Sequence, residues 1–320
     1  MTSPRRRWPW LIAVVVAAAF GVAWVVRGGD ELATLRGHTG VVRAVAASAD
    51  GALLASADHA GRVIVWDAGT LARLREWEAH TRAVRGLAFA PGSHLLVSAG
   101  DDHDVHVWDA DTGTETVTFH DSPKAVECVA FAPDGRTLVA GGADHLVRVW
   151  SLPEKKLTLT LKGHPKHVHA AAVSADGKLV ATGCEGGQVR LWDAGGRPAG
   201  QMPPTGGHVA SLGFAPDGRT LYAAGGGTGL RAWDVAGRAE RPAFDGPTGR
   251  AMAAAVSPDG GRLATVHEDG FVRLWDAAAG KLVATRRGHR GTVVSVAFAA
   301  DGRRMLTGGA DGTVKLWAAD

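Results

Sequence analysis

Val63-Ile64-Val65-Trp66-Asp67 is a short alternating stretch that closes on a tryptophan, and it recurs along the chain. It returns as Val105-His106-Val107-Trp108-Asp109, Val147-Arg148-Val149-Trp150-Ser151 and Val189-Arg190-Leu191-Trp192-Asp193. It returns again as Leu230-Arg231-Ala232-Trp233-Asp234, Val272-Arg273-Leu274-Trp275-Asp276 and Val314-Lys315-Leu316-Trp317-Ala318. The steps between successive tryptophans are 42, 42, 42, 41, 42 and 42 residues. Sixteen residues before each Trp lies a turn signal. Six times it is Asp-Gly, at Asp50-Gly51, Asp134-Gly135, Asp176-Gly177, Asp217-Gly218, Asp259-Gly260 and Asp301-Gly302, and in the second copy it is Pro91-Gly92-Ser93. Asp-Gly between apolar, β-prone stretches signals a hairpin, because both residues tolerate positive φ. A repeat of this period, built on strand-turn-strand, implies an array of small sheets.

A Gly-His pair stands 28 residues before Trp at His38, His164 and His289, with Ala79-His80 as a variant. Together these features resemble the WD40 repeat, with its Gly-His and Trp-Asp signatures. The resemblance implies an all-β fold, a seven-bladed β-propeller of four-stranded antiparallel blades over residues 31–320. It also implies a hydrogen-bonded tetrad of His, Ser/Thr, Asp and Trp inside each blade. By alignment His80, Ser98, Asp102 and Trp108 complete the tetrad in the second repeat, and His289, Thr307, Asp311 and Trp317 complete it in the seventh. The first repeat has His38 and Ser56 but Ala60 at the Asp position, and the fourth has His164 and Thr182 but Gly186. The third and sixth keep Asp144 and Asp269 without an aligned His. The fifth keeps little beyond Trp233, its His208 being three residues out of register. The fifth and sixth blades are therefore expected to be the loosest.

The seventh repeat lacks room for an outer strand after Trp317. Residues 31–38, ELATLRGH, resemble KLVAT at 281–285, which leads into RRGH, and KLTLTLKGH at 156–164. Residues 31–36 are expected to supply the outer strand of the last blade, which would remove a free sheet edge.

The 320 residues are 46% hydrophobic and 21% charged, which excludes a disordered or collagen-like chain. Two cysteines, Cys128 and Cys184, exclude a disulfide-stapled scaffold and any zinc site built from several thiolates. The net charge of +3 looks basic, but three of the 35 basic residues, Arg5, Arg6 and Arg7, lie in residues 1–26, which contain no acid. The rest carries 32 basic and 32 acidic side chains, so the body lacks the footprint of a nucleic-acid binder.

After residues 1–7 comes an uncharged run, WPWLIAVVVAAAFGVAWVV at 8–26, with residues 27–30 as a linker. Nineteen helical residues would span about 28 Å, the thickness of a bilayer's hydrocarbon core. Trp8, Trp10 and Trp24 lie near its ends, where indoles favour the interface. The run reads as a transmembrane signal anchor. The alternative is a signal peptide cleaved at Ala17-Ala18-Ala19, giving a secreted or periplasmic protein. The leading arginines place the N-terminus in the cytoplasm and the propeller on the extracytoplasmic side of a single-pass protein.

No nucleophile elbow, P-loop, zincin or kinase signature is present, and no catalytic residue, cofactor or metal is assigned. The recurring Asp and His pairs read as blade structure. His167 and His169 alternate along one strand face, a spacing that can bind zinc or copper. Lys166 opposes a cation there and no carboxylate lies nearby in sequence, so this segment reads as a solvated surface.

What remains is a rigid, repetitive frame with variable loops, expected to act as a monomeric, non-catalytic, membrane-tethered scaffold for protein partners. The alternative is an extracytoplasmic propeller enzyme or an accessory subunit of an enzyme complex. The resemblance implies partner contacts around one mouth of the channel. The residues there are Arg43, Arg85, Glu127, His169, Ala210, Met252 and Val294, with His59, Asp101, Glu185 and Glu268 beside the turn positions. Of these, Arg43, Arg85, Asp101, Glu127 and His169 are the expected partner-binding set, the arginine forks suiting a partner's carboxylates.

Overall fold

The computed structural model describes residues 31–227 and 229–319. After β1 (Glu31–Arg36), four strands form the first blade: β2 (Val42–Ala47), β3 (Leu53–Asp58), β4 (Arg62–Asp67) and β5 (Arg73–Glu78). The second is β6 (Val84–Phe89), β7 (Leu95–Gly100), β8 (Val105–Asp109) and β9 (Thr114–Phe119). The third is β10 (Val126–Phe131), β11 (Thr137–Gly142), β12 (Val147–Ser151) and β13 (Lys156–Leu161). The fourth is β14 (Val168–Val173), β15 (Leu179–Cys184), β16 (Val189–Asp193) and β17 (Pro198–Met202). The fifth is β18 (Val209–Phe214), β19 (Thr220–Gly225), β20 (Leu230–Asp234) and the two-residue β21 (Ala239–Glu240). The sixth is β22 (Ala251–Val256), β23 (Arg262–His267), β24 (Phe271–Asp276) and β25 (Lys281–Arg287). The seventh is β26 (Val293–Phe298), β27 (Arg304–Gly309) and β28 (Thr313–Ala318), completed by β1, which pairs antiparallel with β28.

The first strands β2, β6, β10, β14, β18, β22 and β26 each contact the next, and β26 returns to β2, so the ring is closed. This is an all-β, seven-bladed propeller of four-stranded antiparallel blades. The recurring V-x-V-W pattern explains why the blades stack. Alternate side chains leave a strand on opposite faces, so Val63 and Val65 face the second blade and pack with its Trp108. Trp66, on the other face, packs with Val314 and Leu316 of the seventh blade. The same arrangement puts Trp150 on Val105 and Val107, Trp192 on Val147 and Val149, and Trp317 on Val272 and Leu274. The core is thus seven inter-blade layers rather than one centre.

The hairpins between first and second strands differ from the sequence expectation in one respect. Only the glycine takes positive φ, as at Gly51 (74°) and Gly302 (65°). The aspartate instead accepts backbone N–H groups two residues on, as Asp50 does from Ala52 at 3.0 Å. In the second blade Pro91 occupies the second turn place and Gly92, with φ 74°, the third, the type II arrangement that suits Pro-Gly.

Among the described residues no helix is long and apolar enough to cross a membrane. The apolar run at 8–26, its anchor or signal reading and the linker at 27–30 lie outside the described residues.

Candidate functional site

The buried polar chains of the blades come first, because they hold five of the fourteen histidines. In the second blade the Trp108 indole donates to Ser98 Oγ at 2.9 Å, and Ser98 meets His80 Nε2 at 2.8 Å. His80 Nδ1 meets Asp102 at 2.7 Å. In the seventh, Trp317 donates to Thr307 at 2.8 Å, Thr307 meets His289 Nε2 at 2.7 Å, and His289 Nδ1 meets Asp311 at 3.0 Å. Both aligned tetrads are therefore assembled, and the network fixes the imidazole tautomer. Burial alone would raise the Asp102 carboxyl, but the His80 hydrogen bond, its charge and two backbone N–H groups bring it down to about 2.

The first blade corrects the sequence reading. Ala60 does stand at the usual Asp position, yet the tetrad is complete. Asp58, two residues earlier, meets His38 Nδ1 at 2.8 Å, and Ser56 joins His38 Nε2 (2.7 Å) to the Trp66 indole (2.9 Å). The sixth blade makes a similar exchange: His267, on β23 itself, meets Thr265 at 2.8 Å, and Trp275 donates to Thr265 at 2.8 Å. In the third blade Asp121 accepts the Trp150 indole at 2.7 Å, while Asp144 pairs with Arg148. The fourth keeps Trp192, Thr182 and His164 in line but leaves His164 Nδ1 buried without a partner. In the fifth, Ala223 replaces the hydroxyl residue and the buried Trp233 indole N–H has no partner. These chains are structural, and in the first, second and seventh blades their side-chain atoms are spent on one another.

The seven first strands enclose a central cavity of about 670 Å³. Its lining includes Arg43, Arg85, Glu127, His169, Ala210, Met252 and Val294, the residues that open the first strands, and also Glu185, His208 and Arg250. Asp101 is brought to this mouth by the β7–β8 turn. The Arg85 fork is bidentate to Asp101, Nε to Oδ1 at 2.7 Å and Nη2 to Oδ2 at 2.9 Å, with Glu127 3.7 Å from Nη1. The expectation that Arg85 offers a free fork to a partner is therefore corrected, since its own carboxylates occupy it. Among the described residues Arg43 makes a single hydrogen bond, from Nε to His59 Nδ1 at 3.2 Å. Burial raises the Glu127 carboxyl, but His169 and Arg85 outweigh it and hold the group below its ordinary value.

The His167 and His169 segment also departs from the expected solvated surface. Both are half-buried, line the cavity and meet a carboxylate: their donor atoms and a Glu185 oxygen all lie within 4.8 Å of one another. Glu185 is distant in sequence but fixed in space, because its N–H donates to the His167 carbonyl at 2.9 Å. Arg250 and His208 complete the mouth, Arg250 reaching Glu268 at 3.3 Å and the His208 ring lying 6.0 Å from that of His169. The signal that would have placed Glu185 is the spacing of 16 that joins Arg43 to His59 and Arg85 to Asp101, since 169 and 185 are the same pair of places in the fourth repeat. Neither cysteine is poised for chemistry. Both thiols are free, Cys184 is buried, and burial pushes Cys128 up to about 12.

The profile described as "WD domain, G-beta repeat" matches residues 29–67, 71–109, 113–151, 155–193, 241–276 and 280–318. The chain belongs to the WD40 repeat family. The six matches cover six of the seven repeats, and residues 194–240, which contain all four strands of the fifth blade, fall between them. That blade is the one whose repeat Trp indole has no partner among the described residues, and it has the shortest outer strand. No curated protein matched this WD40 chain as a relative.

Proposed function

We propose that this WD40 propeller is a non-catalytic, membrane-tethered scaffold that holds a protein partner over the channel mouth. Propellers of the family typically serve as protein-interaction scaffolds. The observation that carries the reading is the asymmetry of the mouth. One arc presents Arg43, the Arg85–Asp101–Glu127 network and His169, and the other presents Ala210, Met252 and Val294 with the Arg250–Glu268 pair at its edge. Charge on one side fixes orientation and the apolar side supplies desolvated contact, the division of labour of a specific interface. Arg43 is the cation for a partner's carboxylate, because among the described residues it hydrogen-bonds to a histidine and to no carboxylate. Tethering rests on the apolar run at 8–26, and the extracytoplasmic placement on Arg5, Arg6 and Arg7 before it.

Arg43→Glu tests the reading. Reversing a half-exposed charge should shift stability by less than about 0.5 kcal/mol. The variant is expected to melt with the parent and to lose the adducts that a membrane-impermeant cross-linker gives on intact cells. Retention of the full set of adducts would remove the mouth as the docking surface.

A further inference from the structure

We propose that His167, His169 and Glu185 form a binding site for one zinc-class transition-metal dication at the channel mouth. The inference goes beyond the scaffold reading and does not depend on it. Two imidazoles and a carboxylate are a donor set that zinc takes with a fourth position left for water or another ligand. The three donor atoms already lie within 4.8 Å of one another. Tetrahedral zinc, with bonds of about 2.0–2.2 Å, needs its ligand atoms about 3.3 Å apart, a closure that side-chain rotation supplies.

The backbone holds the three residues ready. His167 and His169 flank the fully buried Val168, which pairs with Cys184 across the β14–β15 ladder. Glu185 follows Cys184 directly and is pinned to the His167 carbonyl at 2.9 Å. A second carboxylate stands behind the site: Glu127 Oε2 is 3.7 Å from His169 Nδ1, leaving Nε2 of that ring for the ion. A carboxylate on the far nitrogen of a ligating histidine orients the ring and raises its basicity. Arg85, which would oppose a cation, is drawn off by Asp101 and Glu127. His208 is the available fourth ligand, its ring 6.0 Å from that of His169. Lys166 also opposes a cation; it lies in the bend before β14, its side chain against Gly186. The cavity gives the ion an approach from solvent.

The test is calorimetric titration of zinc chloride into the metal-stripped full chain in detergent. One saturable equivalent is expected. His167→Ala/His169→Ala should weaken binding at least about a hundredfold and Glu185→Gln about tenfold or more, whereas His120→Ala, on an exposed histidine elsewhere, should leave it unchanged. Cobalt(II) substitution of the parent supplies a measurement that needs no variant to fold. Intense visible d–d absorption from a four-coordinate site is expected. Absence of saturable zinc binding, equal affinity in the double variant, or the weak spectrum of six-coordinate cobalt would overturn the proposal.

Discussion

Asp58 shows how much of the blade chemistry lies in single positions. Two places on the second strand and the turn after it compete for the carboxylate beside His. In the second and seventh blades these are Gly100 with Asp102 and Gly309 with Asp311. A Cβ at Gly100 would lie 2.4 Å from His80 Nδ1, and one at Gly309 2.2 Å from His289 Nδ1, so the later Asp requires the earlier glycine. The first blade inverts the pair to Asp58 with Ala60, whereas the sixth keeps Asp269 at the later place and puts its histidine, His267, at the earlier one. Reading each position by alignment alone therefore missed Asp58 and His267, because the exchange is legible only when both places are read together. Asp58 is fully buried, so Asp58→Gly should cost about 3 kcal/mol in chemical denaturation, and adding Ala60→Asp should recover most of it. The histidines without an Asp partner set a pH dependence. Burial, reinforced by Arg190 and Arg273, lowers His164 and His267 to about 4, against an ordinary 6.5. Between those values the unfolded chain binds protons that the folded chain refuses, so this stability is complete above pH 6.5 and declines as pH falls towards 4. Urea midpoints of the parent should fall through that window, and His164→Gln/His267→Gln should flatten the slope.

β1 carries the closure. It pairs with β28 from Glu31↔Trp317 to Arg36↔Thr313, and Lys315 Nζ reaches Glu31 at 2.7 Å and Thr34 Oγ1 at 2.9 Å. Ala33 and Leu35 are buried in the layer that also holds Trp66 and Leu316. The strand was legible because its sequence copies the outer strands at 281–287 and 156–161, with the same Gly-His exit. Removing residues 31–36 strips the Leu35 and Ala33 contacts, worth about 3 kcal/mol or more, and opens the β28 edge to other chains. The truncated protein should melt well below the parent and self-associate in sedimentation; equal melting would make the closure dispensable. The end of the fifth blade was less legible. β21 is only two residues, and the chain beyond it crosses to the sixth blade, where Phe244 meets Trp275 edge to face at 5.5 Å. That segment follows neither the strand alternation nor the Gly-His exit of the other repeats.

The ring as a whole has a division between its two faces that the repeat pattern foreshadows. The first strands all begin at the mouth lined by Arg43, Glu127 and Val294 and end at the opposite face, in the Asp-Gly turns or, in the second blade, in Pro91-Gly92-Ser93. At the turn face the side chains are spent on local order, as where Asp134 accepts the N–H groups of Arg136 and Thr137. At the mouth they vary from blade to blade. Period and register named the positions that open each first strand, but not which side chains are already engaged. Arg85 is bound by Asp101, and Glu185 is drawn to His167, through contacts that only the closed ring creates. The account stands on the mouth being where a partner docks. Site-specific photocross-linking in intact membranes tests it most directly, with the reactive group at Met252 or Val294 on the mouth and at Asp134 or Asp217 on the turn face. Discrete adducts of one partner from the two mouth positions, and none from the turn face, are the predicted result. Adducts from the turn face alone, or equally from both faces, would contradict it.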